Sequence, residues 1–161
     1  MPQASNPSLA ASDGSLMTTD SELMGIISAC PRVALKELMK LYSQVDRAVS
    51  RLDLSCLGGG ACCRFDLAGH RLYVTPMELA LLASHRPMTA SQPLRCPYQL
   101  GPRCGARPVR PLGCRVFFCR DEPAGRDVYE HYHRRIRRLH VRHGVPYRYV
   151  ELSGALRQLL G

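Results

Sequence analysis

The sequence predicts a small, mostly helical α+β single domain with an irregular, cysteine-rich metal-binding core, and three observations carry that expectation. An apolar stripe runs through residues 35–52, a capped helix start stands at Thr75–Glu78, and seven of the eight cysteines fall between Cys56 and Cys119. A chain of 161 residues has the length of one domain and buries roughly two-thirds of the surface that its unfolded form exposes. Its hydrophobic content of 45% and charged content of 22% are ordinary for a globular protein.

Residues 1–18 are rich in Ser, Ala and Pro without apolar periodicity, which predicts a disordered tail ahead of a domain over 19–161. Asp20 or Ser21 is placed to cap a short helix that ends near Cys30, where Pro31 interrupts. From there Leu35, Leu38, Tyr42, Val45, Val49 and Leu52 recur at spacings of 3 and 4, one continuous stripe of a helix over about 32–52. The stripe is shorter than three heptads, so it predicts a packing face rather than a coiled-coil seam. These N-terminal helices occupy 20–52.

A short strand is expected at His70–Thr75, leading into a helix over about 75–84. Thr75 is its N-cap, Pro76 its first residue and Glu78 its third, the pattern of a capping box. Residues 86–125 hold 7 of the 12 prolines and read as irregular, a length that a compact domain rarely carries without an organiser such as bound metal. A basic helix follows over about 126–143, with Tyr129, Tyr132, Ile136, Leu139 and His143 on one face and Gly144 and Pro146 ending it. "YRYVEL" reads as a last strand, and Ser153 as the cap of a short helix ending at Leu160.

A secretory signal needs a basic start before an apolar stretch, and a membrane span needs about 18 consecutive apolar residues. Neither pattern is present, so the expectation is a cytoplasmic protein without membrane contact. Cytosolic thiols are kept reduced, and clustered ones there bind metal or do redox chemistry more often than they form disulfides.

The net charge of +9 is uneven: residues 1–60 carry a balance of −1 and residues 61–161 a balance of +10. Of the 22 basic residues, 20 are Arg. Such a field opens the reading of an Arg-rich nucleic-acid-binding protein, although aromatics for base stacking are scarce at 6%.

The chemistry is concentrated in the core at 55–120, where Cys56, Cys62, Cys63, Cys96, Cys104, Cys114 and Cys119 are the candidate metal ligands. No C-x-x-C pair is present, which argues against a zinc ribbon and for ligands gathered from several loops. Thiolates suit an iron-sulfur cluster or zinc and disfavour magnesium and calcium. Five of the seven cysteines have an Arg beside them in sequence: Arg64, Arg95, Arg103, Arg115 and Arg120. Neighbouring cations lower thiol pKa values and offset thiolate charge, so these arginines are expected to face the site. Cys30 stands apart and reads as a small buried hydrophobe. Glu130 and His133 have the spacing of one half of a di-iron motif, but the chain has a single copy, so the helix histidines read as surface or capping groups.

In order along the chain, "CLGGGACC", "LYVTPMEL", "CPYQLGPRC" and "RPLGCRVF" resemble the YkgJ-type cysteine-cluster family, a zinc- or iron-chelating domain. The likeness covers about residues 55–119. It implies Cys56, Cys62, Cys63, Cys96, Cys104 and Cys114 as metal ligands, with Arg110, Pro111 and Arg115 as matched positions of unassigned role. Gly59 stands where the family motif has a further Cys, and Cys119 is a substitute for it. The expected function is therefore binding of an iron-sulfur cluster. The alternatives are a structural zinc module, nucleic-acid binding, and an enzyme like the flagellin lysine N-methylases related to that family. No catalytic residue, protein partner or oligomeric state is assigned.

Overall fold

The apolar stripe at 35–52 does form a long helix, and its partners organise the fold. The computed structural model describes residues 20–52, 59–68, 71–87, 95–116 and 123–161. The predicted tail, Cys56 and Cys119 lie outside these residues. Helix α1 is Asp20–Ser28 and α2 is Arg32–Ser50. Ala34, Leu38, Leu41, Tyr42 and Val45 of α2 are buried, so the buried face shares Leu38, Tyr42 and Val45 with the predicted stripe and adds Ala34 and Leu41, with Leu35, Val49 and Leu52 at its margin. Helix α4, Pro76–Ala83, packs on both α1 and α2. Every residue from Pro76 to Leu82 is buried, as expected of a helix that is apolar all round except at Glu78 and is enclosed by its neighbours.

The basic helix, α6, is Pro123–His143, three residues longer at its start than the sequence suggests. It lies antiparallel to α2, since Arg142 meets Glu37 at one end and Arg135 meets Gln44 further along. Its buried side chains among the described residues include Ile136, Leu139 and His140. His140 is only 1% exposed, so it is not a surface group, and it shares a hydrogen bond with the Val145 carbonyl at 3.1 Å just past the helix end, the capping kind of role that the sequence left open. Gly144 ends the helix at φ 62°, with Val145 N–H donating to the His140 carbonyl, a left-handed C-cap that glycine adopts without cost.

The strands are short. Strand β1 (Tyr73–Val74) pairs antiparallel with β4 (Val150–Glu151), joining the middle of the chain to its C-terminal part. Only these two residues of each predicted strand are in the ladder. Helix α7, Leu152–Leu160, follows at once, and its cap is the Glu151 carboxylate rather than Ser153, accepting from the Ser153 and Gly154 N–H groups at 3.0 and 2.8 Å. Its acceptor sits at the positive end of the helix, where a carboxylate is most stabilising.

The segment that reads as irregular holds regular pieces among its described residues. Strands β2 (Gln99–Leu100) and β3 (Arg103–Cys104) form a hairpin whose two-residue turn begins at Gly101, φ 56°. A 3-10 turn at Arg107–Val109 leads to α5, Leu112–Val116, which packs on α2 and α6. A short helix, α3, Phe65–Ala68, follows a 3-10 turn at Ala61–Cys63. The described residues thus make a mostly helical α+β fold with two small antiparallel sheets. No described helix is long and apolar enough to cross a membrane.

The turn before the first cysteines depends on Gly60, which holds φ 68°. A Cβ there would lie 2.7 Å from Gln99 Nε2 and 2.9 Å from the Pro102 carbonyl oxygen. Gly60→Ala is therefore expected to lower stability by more than the ~1–2 kcal/mol of a left-handed L-residue alone, because the hairpin backbone must also move. Gly59→Ala, with nothing within 4 Å of its Cβ, should stay within about 0.5 kcal/mol of wild type. Denaturant midpoints of the two variants check this contrast.

Candidate metal centre

Backbone pairing first brings the cysteines together. Gly60 turns the chain into the 3-10 turn that carries Cys62 and Cys63. An isolated antiparallel bridge joins Arg64 to Arg95, and Cys96 N–H donates to the Cys63 carbonyl at 2.9 Å, so Cys63 and Cys96 stand side by side. Gln99 donates its amide to the Gly60 carbonyl at 3.1 Å and ties the hairpin to that turn. The hairpin then delivers Cys104 from β3, and α5 delivers Cys114.

These four segments enclose a cavity of about 40 Å³ whose wall includes Cys62, Cys63, Cys96, Cys104 and Cys114. Phe65, Leu82, Tyr98 and Leu152 supply apolar wall between them. The volume exceeds the roughly 10–15 Å³ that one water needs. Cys30, as expected, is not part of this wall, and each of the six described cysteines is a free thiol. Among the described residues, no three His, Cys, Asp or Glu side chains stand arranged to grip a single metal ion. The five thiols surround a void.

Their electrostatics depart from the expectation of lowered thiol pKa values. Cys62 donates its S–H to Cys63, which together with burial holds the Cys62 thiol well above its ordinary range. For Cys63 the bond from Cys62 pulls downward, but its own bond to Cys96 and its burial outweigh that and push it up to about 12. Burial raises Cys104 and, more strongly, Cys114, which also feels Cys104, Cys63 and Cys62. Removal of apolar-walled thiols from water disfavours the charged form, and here that effect exceeds the pull of nearby cations.

The arginines beside the cysteines in sequence mostly serve elsewhere. Arg64 pairs with Asp66 at 3.1 Å, Arg95 bonds Gln99, and Arg103 is exposed. Arg115 is buried and fully engaged: it holds Asp46 at 2.7 Å, the Pro108 and Arg110 carbonyls at 2.7 and 2.9 Å, and lies over the Tyr42 ring. Adjacent residues point apart, so sequence proximity to a cysteine did not translate into proximity to its sulfur. Arg120 is outside the described residues. The cation that does line the cavity is Arg110. Burial, followed by repulsion from Arg107 and Arg115, holds its guanidinium below the ordinary arginine range. The only sequence signal for it was its place in "RPLGCRVF".

Gly59 is exposed and does not line the cavity, so the wall of five thiols forms without a cysteine at that position. His133 shares a hydrogen bond with the Tyr147 hydroxyl at 2.8 Å and stacks on Tyr129, while Glu130 is exposed. No family model matches the chain, and no curated protein and no solved structure was found to be similar to it.

Proposed function

We propose that the protein binds an iron-sulfur cluster of the kind expected from its cysteine-cluster resemblance, with thiolates drawn from Cys62, Cys63, Cys96, Cys104 and Cys114. The observation that carries this reading is that five thiols from four separate segments wall one apolar cavity. Chance burial of cysteine does not call for such convergence, and soft sulfur donors select zinc or iron-sulfur chemistry. Zinc and the common iron-sulfur clusters each take four thiolates, so the five wall thiols suffice for either, and the cluster is preferred here as the expectation from the sequence. Cys56 and Cys119 remain candidates from the sequence.

When bound, a cluster supplies one-electron redox chemistry. The chain's own part is to hold the sulfurs, and Phe65, Leu82, Tyr98 and Leu152 screen the site from water. Anaerobic purification with iron, sulfide and zinc analysis and a visible spectrum tests the proposal. Brown protein with matched iron and sulfide is the expected result. Colourless protein with stoichiometric zinc would replace the cluster by the structural zinc module, and protein free of all three after reconstitution would remove both.

One observation favours a second reading, nucleic-acid binding. A groove of about 460 Å³ between α2 and α6 is lined by Lys40, Arg135, Arg138 and Arg142 against a single carboxylate, Glu37. Gln44 holds Arg135 at 2.7 Å and Glu37 holds Arg142 at 2.9 Å, whereas Lys40 and Arg138 make no ion pair or hydrogen bond among the described residues. If the groove follows a phosphate backbone, the double variant Lys40→Gln/Arg138→Gln lowers the salt slope of single-stranded RNA or DNA binding by about two. Absence of binding by wild type at low salt rejects this reading.

A further inference from the structure

We infer that Arg110 is the counter-charge of the metal centre, a positioning residue whose guanidinium donates N–H···S hydrogen bonds to ligating thiolates once the centre is loaded. This rests on the metal-binding reading above. Arg110 lines the thiol cavity, and its Nε is buried without a hydrogen-bond partner among the described residues. Arg115, five residues on, shows how this fold treats a buried arginine of purely structural use, giving all of its nitrogens acceptors and its charge a carboxylate. Arg110 receives nothing comparable among the described residues.

The cavity wall contains no Asp or Glu among the described residues, so the anions that can form beside Arg110 are the sulfurs themselves. The thiols that it faces electrostatically are Cys62, Cys104 and Cys114. With neutral thiols the guanidinium keeps a buried Nε–H that no acceptor among the described residues meets, an unfavourable arrangement. Four thiolates on a cluster of charge 2+ leave a net −2, and a charged donor within the wall offsets half of it. N–H bonds to ligating sulfur also stabilise the reduced, more negative state of a cluster and so raise its potential.

The test uses full-length wild type, Arg110→Gln and Arg110→Lys, each reconstituted anaerobically with iron(II) and sulfide and, in parallel, with zinc(II). Metal retention against a chelator, the midpoint potential of the iron-sulfur form, and melting temperature with and without metal are measured. Arg110→Gln is expected to lose about 10–100-fold in metal affinity. Its potential falls below that of wild type, its metal-free form melts no lower than wild type, and its loaded form melts lower. Arg110→Lys keeps the charge and recovers part of the affinity. The inference is overturned if Arg110→Gln retains metal within twofold at an unchanged potential, or if it lowers the metal-free and loaded melting temperatures equally. Wild type that takes up no metal overturns the metal reading and this inference with it, whereas a wild type that loads and an Arg110→Gln that loads equally well overturns the inference alone.

Discussion

Cys63→Ser is expected to abolish metal binding, with a loss of affinity greater than the ~100-fold upper range for residues that only support a ligand. Cys63 is the hub of the thiol wall. It takes a hydrogen bond from Cys62, gives one to Cys96, and feels Cys104 and Cys114. Serine keeps the size of the side chain but offers a hard oxygen whose proton is far more firmly held. Cys30→Ser, away from the cavity, should retain wild-type metal content and serves as the control. Metal analysis of the two variants, purified in parallel without oxygen, decides the matter. Because metal affinity is also folding free energy, the loaded Cys63→Ser sample should melt lower than loaded wild type while the metal-free forms stay close. The raised thiol pKa values also set a sign for pH. Neutral thiols must release protons to bind metal, so wild-type affinity rises with pH and weakens as pH falls.

Glu78→Ala is expected to lower stability by about 3–5 kcal/mol, the range for groups whose loss leaves several buried partners unmatched. Glu78 is 2% exposed and links three helices. One carboxylate oxygen accepts the Thr75 N–H and hydroxyl at 2.9 and 3.0 Å, closing the capping box of α4. The other accepts the Leu112 N–H of α5 at 2.9 Å and the Tyr42 hydroxyl of α2 at 3.1 Å. Gln is not an adequate replacement, because each oxygen faces a backbone N–H and an amide nitrogen at either place would oppose a donor. Denaturant unfolding of both variants measures the loss, with Glu78→Gln intermediate.

The same residue has a pH signature. Burial holds the Glu78 carboxyl above its ordinary 4.5, against the opposing pull of its hydrogen bonds from Leu112 and Thr75. The folded state therefore binds the proton more tightly than the unfolded chain. Glu78 contributes a stability that is full below pH 4.5 and is lost as pH rises through the folded pKa. The stability difference between wild type and Glu78→Gln should accordingly narrow over that interval. An unchanged difference from pH 4 to pH 8 would show that Glu78 does not titrate there.

Much of the secondary structure was legible because its signals are local. The 3- and 4-residue spacing from Leu35 to Leu52 marks α2, and Thr75, Pro76 and Glu78 mark the start of α4. Gly144 marks the end of α6. The side chains that join these helices were not legible. Nothing local distinguishes a Glu that only caps its own helix from Glu78, which also receives a donor from α5, 34 residues away. Nor does composition announce that His140 is enclosed while His131, on the same helix, is exposed.

For the candidate site the division is similar. The cysteine residues themselves, and the soft-metal chemistry that they imply, are properties of the sequence alone, because donor identity is independent of conformation. Which thiols share a cavity was decided by the bridge between Arg64 and Arg95 and by the hairpin at 99–104. The charge beside them was decided there too. Arginines adjacent to cysteines in the chain turned toward Asp46, Asp66 and Gln99, and Arg110 alone among the described cations lines the wall. Sequence sets which groups exist and how a few neighbours pack into a turn of helix. Which charges face which sulfurs is a long-range property that appears only when separate segments pack, since side-chain direction depends on the backbone each residue occupies and on the space its neighbours leave.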